Sequence, residues 1–530
     1  MTWSIDVVIK NYRCFPDSEP ARLSIRPGFT AFVGANNVGK SSLLRFFYEF
    51  RGLFSQLAQH GTPVMQHAWS GPQGFGELQD VGDQSEVFSD RNERDIEIEL
   101  EIEPPAALVA ELQQPGVHSV GVRVDRGNRA VFLMDRHGRI QPDAGFGGYQ
   151  LDTVSVFGSV AVDLRALMWA GQTLRDAIYM GAFRNAVNAG GAKYYDLNIG
   201  QRFIQEWDRF KNGPTKHTRE QAARLLDDIR RIFEFDDFDM TPSEDNSTLI
   251  VRLNGHSYRL EELGAGIAQF IIVLAYVAVV RPTFVLIDEP ESNLHPSLQI
   301  DFLTTLAAYS RDGVLFATHN LGLARASAEQ LYSVVRRHQG ESQLREYEAT
   351  TELPELVGEL SFGGYQALGF DSILLVEGPT EVKAVQQFLR LYGKEHRVVM
   401  VPLSGKSLIH GSSEVELLEL KRLSEHVSAL IDSERDAEGS DLDPTRAAFV
   451  DLCGRVELPC HVLQRRALEN YFTDAAVKSA KSEKYRALDH YEKLAECSPS
   501  WSKSDNWRIA RAMNRPDLDN TDLGGFLADL

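Results

Sequence analysis

Two groups of residues in this chain have the types and the spacing to act on phosphates. The first opens with Gly34-Ala35-Asn36-Asn37-Val38-Gly39-Lys40-Ser41-Ser42, a fit to the P-loop pattern GxxxxGK[ST]. Glycines in such a turn let backbone N–H groups curl around phosphates. Lys40 brings a point charge to the outer phosphates, and the Ser41 hydroxyl is a Mg²⁺ ligand. Far downstream, Phe284-Val-Leu-Ile-Asp288-Glu289-Pro-Glu291 is an apolar run ending in carboxylates. Asp288 can hold the Mg²⁺ through water, and Glu289 is placed to orient an attacking water. Phe316-Ala-Thr-His319-Asn320 closes a further apolar run with a histidine. A histidine alone is usually a satisfied polar group, but one directly after a buried strand next to the Asp-Glu strand points to a γ-phosphate contact. Leu263-Gly264-Ala265-Gly266 leads into a helix, and a glycine-rich helix N-terminus offers its N–H groups to an anion. The ligands implied are ATP and Mg²⁺.

The second group is acidic. The apolar run Ser372-Ile-Leu-Leu-Val376 ends in Glu377-Gly-Pro-Thr-Glu381, and Val427–Ile431 ends in Asp432-Ser-Glu434-Arg-Asp436. Glu469 follows in Leu468-Glu-Asn-Tyr471. Acids at the carboxyl ends of buried parallel strands make a hard, oxygen-rich site suited to Mg²⁺ or Mn²⁺. Any one of these acids reads equally well as a solvated cap after its strand. The repeated strand-then-acid pattern favours a shared cation site.

Positioning these groups requires a particular run of elements. Residues 5–33 read as short strands, ending in Phe29–Val33, and a helix is expected from Ser41 to about Phe54. Residues 56–95, rich in Gly, Gln, Ser and His, read as a long loop or insertion. Asp95–Glu103 alternates as a strand with one acidic face. Residues 200–235 carry a helical apolar stripe through Phe203, Trp207, Phe210, Leu225, Ile229 and Ile232. Thr248–Leu260 reads as a strand pair turning at Asn254-Gly255. A helix over Ala268–Val280, a strand at Thr283–Ile287, a helix from Pro296 and a strand at Val314–Ala317 follow. Residues 346–370 read as a polar linker with a Gly-Gly turn at 363–364, and a fresh α/β unit begins at Ser372.

Bulk properties set limits. At 530 residues the chain is expected to hold two to four units. A net charge of −20 argues against a protein that coats nucleic acid by charge alone. It leaves room for a nuclease, whose carboxylates bind metals that in turn meet the phosphates. Cys14, Cys453, Cys460 and Cys497 form no CxxC pair and no Cys/His cluster, so they read as reduced thiols. No basic stretch followed by an apolar one opens the chain, and the longest apolar run, Phe270–Val280, is too short for a bilayer. A soluble, cytoplasmic protein without a membrane partner is expected.

The P-loop, Asp288-Glu289, His319 and Leu263–Gly266 together resemble the ATP-binding cassette family in its SMC/RecF-like branch. Ser292-Asn293-Leu294-His295-Pro296 looks like that family's D-loop, and IKNYRCF like its first strands. The resemblance covers residues 1–345 and implies that Gly264 and Gly266 meet the γ-phosphate of ATP held by an opposite subunit. The chain would then work as a homodimer or a higher homo-oligomer. Gly264 stands where the family carries a serine. Gln172 and the Tyr179–Asn185 segment are the candidates for the Q-loop. Residues within about 56–250 would form an insertion that supplies a further interface; no long heptad run appears there.

After residue 370, Glu377 and Asp432-x-Glu434 resemble a Toprim domain, whose hallmark is a glutamate after the first strand and a DxD-like pair after a later one. An ATPase head followed by Toprim, here residues 371–530, is similar to the OLD family (overcoming lysogenisation defect), which includes Gabija-type and retron-linked effectors. That resemblance implies an α/β protein in which the Toprim acids Glu377, Glu381, Asp432, Glu434, Asp436 and Glu469 hold two metals that cut DNA. Lys503, in Lys503-Ser-Asp-Asn506-Trp-Arg-Ile-Ala510, matches the segment carrying the family's assisting lysine. It also implies a role in antiviral defence, with a helicase-like protein or a retron reverse transcriptase and its DNA as partner. A Toprim topoisomerase would need a tyrosine nucleophile in a separate domain, and a Toprim primase a zinc module; neither fits. The rival from another class is an ATP-driven DNA clamp or sensor whose Toprim domain cuts nothing.

Overall fold

Apolar runs bounded by glycines and acids form the centre of a six-stranded sheet in the computed structural model of the chain. Its order is Ile178–Met180, Phe284–Asp288, Gly313–Thr318, Gly28–Val33, Gln330–Arg336 and Ser342–Glu346. The first four strands run parallel. Every residue of Phe284–Asp288 and Gly313–Thr318 is buried, which is why these strands read as unbroken hydrophobic runs. Register pairs Val33 with Thr318, Ala317 with Asp288 and Ile287 with Met180. The turns after all four strands therefore leave from one edge.

The structure describes residues 3–34, 37–59, 73–74, 78–89, 92–127, 129–134, 146–151, 154–157, 160–182, 193–198, 200–336, 341–347, 372–395, 397–403, 414, 417–418 and 426–530. The expected linker therefore lies, from residue 348 on, outside the described residues, as do residues 60–72, 75–77 and 90–91 of the loop expected over 56–95.

A second, antiparallel sheet runs Ala21–Ile25, Ser4–Lys10, Ile96–Glu103, Ser119–Val124, Arg129–Met134 and Gln73–Gly74. Ile96, Ile98, Leu100 and Ile102 point to the core and the intervening glutamates away from it, as the alternation requires. The helix expected over Ser41–Phe54 is two helices, Lys40–Glu49 and Arg51–Ala58. Phe50 breaks it: fully buried, it leaves helical geometry at φ −91 and ψ 16. The second helix is then fixed by Arg51, which grips Asp196 with two hydrogen bonds of 2.7 and 2.6 Å. Residues 200–235 likewise form two helices, Gly200–Asn212 and Lys216–Ile232, separated by Gly213-Pro214 and capped by Thr215. Leu249–Leu253 and His256–Arg259 pair as expected, and Asn254 and Gly255 both take positive φ, the signature of a type I′ turn. Helix Ala265–Val280 starts three residues earlier than its apolar pattern suggests, with extended Gly264 at its N-cap.

A separate four-stranded sheet, all parallel, has the order Val398–Pro402, Ser372–Val376, His426–Ile431 and Cys460–Val462. Ile373, Leu375, Val427, Ala429 and Ile431 pack with Phe449, Leu452 and Cys453 into its core. Val376 pairs with Leu430, so Glu377 and Asp432 emerge at the same edge.

The chain folds as two units, one of Met1–His319 with Tyr332–Glu346, the other of Asn320–Leu331 with Tyr347–Leu530. The boundary expected at residue 345 differs from this division, because helix Leu321–Ser327 packs on Pro379–Leu391 within the second unit. Lys383, with no exposed side-chain surface, forms an ion pair there with Glu329. Among the described residues no helix is long and apolar enough to cross a membrane.

Candidate functional site

The turn after Gly28–Val33 carries Asn37 at φ 64 and Gly39 at φ 102, and Gly39 caps helix Lys40–Glu49. A Cβ on Gly39 would stand 2.5 Å from Cys14 Sγ, so glycine is required there both by φ and by space. Asn36 lies outside the described residues. Lys40 is buried and its Nζ donates to the Gly34 carbonyl at 2.8 Å. Burial pulls the Lys40 ammonium below its ordinary pKa, while Asp288, Glu289 and Glu291 push it back up. Ser41 Oγ donates to Asp288 Oδ2 at 2.5 Å across the strand edge. Burial raises the Asp288 carboxyl, with Ser41 and Lys40 opposing and Glu289 and Glu291 adding to it. A serine hydroxyl and a carboxylate joined in this way are the hard oxygen pair that fits Mg²⁺.

The first strand and its turn brace the P-loop helix. Tyr12 OH donates to Glu49 Oε2 at 2.7 Å and stands 3.2 Å from the Ser42 carbonyl. Arg13 adds a bond to Glu49 Oε1 at 2.6 Å.

Glu289 sits at φ 49 and donates its N–H to the Ala317 carbonyl, so the chain turns sharply as it leaves the strand. His319 follows Gly313–Thr318 at the same edge. Its Nδ1 lies 3.9 Å from Glu289 Oε1 and 3.2 Å from Glu291 Oε1. Lys40, Ser41, Asp288, Glu289 and His319 are thus gathered around one sheet edge. Glu291 joins them; its signal in the sequence is its place two residues after Glu289, close behind the apolar run Phe284–Ile287.

Gly264 has open space around a would-be Cβ, whereas one on Gly266 would stand 2.1 Å from the Asn293 carbonyl. The first turn of helix Ala265–Val280 therefore rests on the Asn293 backbone, and of the two glycines only Gly266 is demanded by that fit. Gln172 is exposed on helix Arg165–Arg175, which precedes strand Ile178–Met180 and so lies toward the opposite end of the sheet. The Tyr179–Asn185 segment leaves that strand at the nucleotide edge, and from Phe183 on it lies outside the described residues.

In the second unit, Glu377 Oε1 accepts the N–H of Asp432 at 3.0 Å, joining the two strand ends. Arg446, on the first turn of Pro444–Arg455, donates to both oxygens of Glu377 at 3.1 Å and to the Asp432 carbonyl at 2.8 Å. The sequence reading missed Arg446; the Asp443-Pro444 helix start was its only signal. Burial lifts the Glu377 carboxyl, Arg446 lowers it and Glu381 raises it again. Burial lifts Asp432 well above the carboxylate range, followed by the charges of Glu377, Glu381 and Glu469, with Lys503 opposing. Asp432 Oδ1 accepts the Leu468 N–H at 3.0 Å, which brings buried Glu469 alongside. Lys503 Nζ lies 3.4 Å from Glu469 Oε1. Burial lowers the Lys503 ammonium, but Glu469, Asp432, Glu381 and Glu434 together raise it above its ordinary value.

Asp436 turns elsewhere, and Glu434 stands between it and the Lys503 side of the site. Arg466 pairs with Glu434 and, at 2.8 Å, with Asp436, and Lys493 stands 3.2 Å from Asp436. Lys493 first and Arg466 next hold Asp436 below the ordinary carboxylate pKa, and its side chain is 77% exposed, so it stands apart from Glu377 and Asp432. Among the described residues no three His, Cys, Asp or Glu side chains form a ready metal cage. The donor set, all oxygen and mutually repelling, nonetheless fits a hard divalent cation.

Two family models match the chain. The one described as "AAA ATPase domain" matches residues 5–112, which include Lys40 and Ser41. The one described as "AAA domain, putative AbiEii toxin, Type IV TA system" matches residues 164–325, which include Gly264, Asp288, Glu289 and His319. None of the curated proteins matches. Among solved structures the chain is similar to an SMC head bound to the C-winged helix domain of ScpA, at 13% identity and TM-score 0.38, covering 65% of this chain and 97% of that one. It is also similar to the SMC head domain from Thermotoga maritima, at 14% identity and TM-score 0.31, covering 65% and 98%. A third is the Smc head domain with an extended coiled coil, bound to the C-terminal domain of ScpA, derived from Pyrococcus furiosus, at 12% identity and TM-score 0.36, covering 68% and 99%. The chain carries AAA-type ATPase sequence, with the P-loop in one matched stretch and the acidic and histidine strand ends in the other.

Proposed function

We propose that this chain is an ATP-regulated, divalent-metal-dependent DNA endonuclease, with an ATPase head over 1–345, a linker over 346–370 and a Toprim domain over 371–530. The observation that carries the reading is the edge of the C-terminal parallel sheet, where Glu377 accepts from the Asp432 N–H and Glu469 lies within reach of Lys503. Glu377, Glu381, Asp432, Glu434 and Glu469 would hold the metal ions, Mg²⁺ or Mn²⁺. When bound, such ions supply an activated water and stabilise the leaving oxygen of a phosphodiester. Arg446 keeps Glu377 aimed at Asp432, and Lys503 stands ready to neutralise charge on the phosphate.

In the head, Lys40 and Ser41 bind ATP with Mg²⁺, Asp288 supports the metal, Glu289 orients water and His319 meets the γ-phosphate. Gly264 and Gly266 complete the site of a second copy, so the working form is a homodimer or larger. Sedimentation with ATP tests this; a monomer at micromolar concentration counts against it. The description of the second family model as a putative AbiEii toxin of a Type IV TA system supports a defence role. With it we propose a cytoplasmic location and foreign DNA as substrate.

The second reading, an ATP-driven clamp or sensor that cuts nothing, is favoured by Arg446 and Arg466 already pairing Glu377 and Glu434. Plasmid DNA incubated with Mg²⁺ or Mn²⁺, with and without ATP, separates the two. Nicking or linearisation supports the nuclease, and intact plasmid under every condition supports the clamp.

A further inference from the structure

Glu291 is 9% exposed, and its oxygens are treated very unequally. Oε1 accepts from Thr318 Oγ1 and, at 3.4 Å, from the His319 N–H; His319 Nδ1 stands 3.2 Å from the same atom. Oε2 has no hydrogen-bond partner among the described residues. A buried carboxylate with one oxygen unmet is costly, and packing alone would be better served by an apolar side chain. What the carboxylate gains by hydrogen bonding, among the described residues, is a grip on residues 318 and 319. Glu289 Oε1 lies farther from the ring, at 3.9 Å, and Glu289 Oε2 accepts from Ser292 Oγ at 3.3 Å. Half of the His319 side chain remains exposed.

We propose that Glu291 is a positioning residue for His319. Its Oε1 accepts the Nδ1–H, which fixes the tautomer and the ring plane and leaves Nε2 as the ring atom offered to the terminal phosphate of ATP. Glu289 is thereby left to the attacking water. The inference rests on His319 being the γ-phosphate contact.

The test uses the full chain and compares Glu291→Gln, Glu291→Leu, His319→Ala and the double change His319→Ala/Glu291→Leu. Hydrolysis of ATP and binding of a fluorescent ATP analogue are both measured. Gln keeps a carbonyl acceptor, so kcat is expected within about threefold of wild type, whereas Leu lowers kcat by roughly 10²-fold, a typical worth for a positioned acid–base group. Analogue Kd stays within about threefold in the two Glu291 single variants, because Lys40, the P-loop and the His319 ring are all retained. The double variant is expected to be no slower than His319→Ala, as for two groups acting as one. Additive losses, or a wild-type kcat in Glu291→Leu beside a slow His319→Ala, overturn this proposal alone. A wild-type kcat in His319→Ala removes the reading of His319 itself. Should Glu291→Leu fail to fold, ¹⁵N spectra of ring-labelled histidine decide, with His319 assigned by its loss in His319→Ala. A protonated Nδ1 supports the proposal, and a bare Nδ1 with protonated Nε2 overturns it.

Discussion

At the ATPase edge, Asp288 takes a hydroxyl from Ser41 and shares its surroundings with a single lysine, Lys40. At the edge of the C-terminal sheet, Glu377, Glu434 and Glu469 face Arg446, Arg466 and Lys503 in turn. Both edges follow one rule: parallel strands deliver acids at their carboxyl ends. They differ in how the charge is balanced before anything binds. In the nucleotide cradle Lys40 stands among Asp288, Glu289 and Glu291, and among the described residues no arginine is clamped on Asp288 or Glu291. On the proposed reading the C-terminal acids would await a cation, protein cations hold them together meanwhile, and an incoming metal would compete with these. The kind of counter-charge beside a strand-end acid is therefore more telling than the acid alone.

The strongest way to break the comparison is Glu377→Ala. Loss of a ligand commonly costs the metal, so cleavage is expected to fall by more than about 10³-fold, with ATP hydrolysis within about twofold of wild type. Cleavage that survives, read on agarose gels, would remove the Toprim assignment. The converse change, Lys40→Ala, is expected to lower hydrolysis by roughly 10²-fold or more through lost ATP binding, whereas Glu289→Gln keeps binding and loses turnover. Native-rate hydrolysis by Glu289→Gln would show that another group orients the water. Lys503→Ala sharpens the contrast further. It should slow cleavage by roughly 10-fold to 10²-fold while calorimetry still detects bound Mn²⁺, because Lys503 is proposed to act on the phosphate and not to hold the metal.

Much of this was legible in the sequence, for a physical reason. Phe284–Asp288, Gly313–Thr318 and Ser372–Val376 are buried on both faces, so their apolar runs stand out and the acids and histidine at their ends are easily seen. The break at Phe50 was not legible, because Arg51, which fixes the helix beyond it, meets its partner Asp196 145 residues away. Arg446 and Arg466 escaped notice for the same reason: an arginine on a helix or loop shows its partner only once the fold brings Glu377 or Glu434 to it. Gly266 looked like part of a phosphate-binding pattern, and its close approach to the Asn293 carbonyl was invisible. The smallest predicted effect tests that approach. Gly266→Ala is expected to cost about 1–3 kcal/mol by overpacking, seen as a lowered Tm, whereas Gly264→Ala, with open space around it, leaves Tm unchanged.

The division of the chain has a practical outcome for anyone who would dissect it. Residues 320–331 belong to the second unit yet are threaded between two stretches of the first. A single cut near residue 346 would thus not release an intact C-terminal fragment. Such a fragment would leave Lys383 buried without Glu329, a loss that commonly costs about 3–5 kcal/mol when one partner of a buried ion pair is removed. An excised piece would need the 320–331 stretch grafted back, or Lys383 replaced by a neutral side chain of similar volume such as Met.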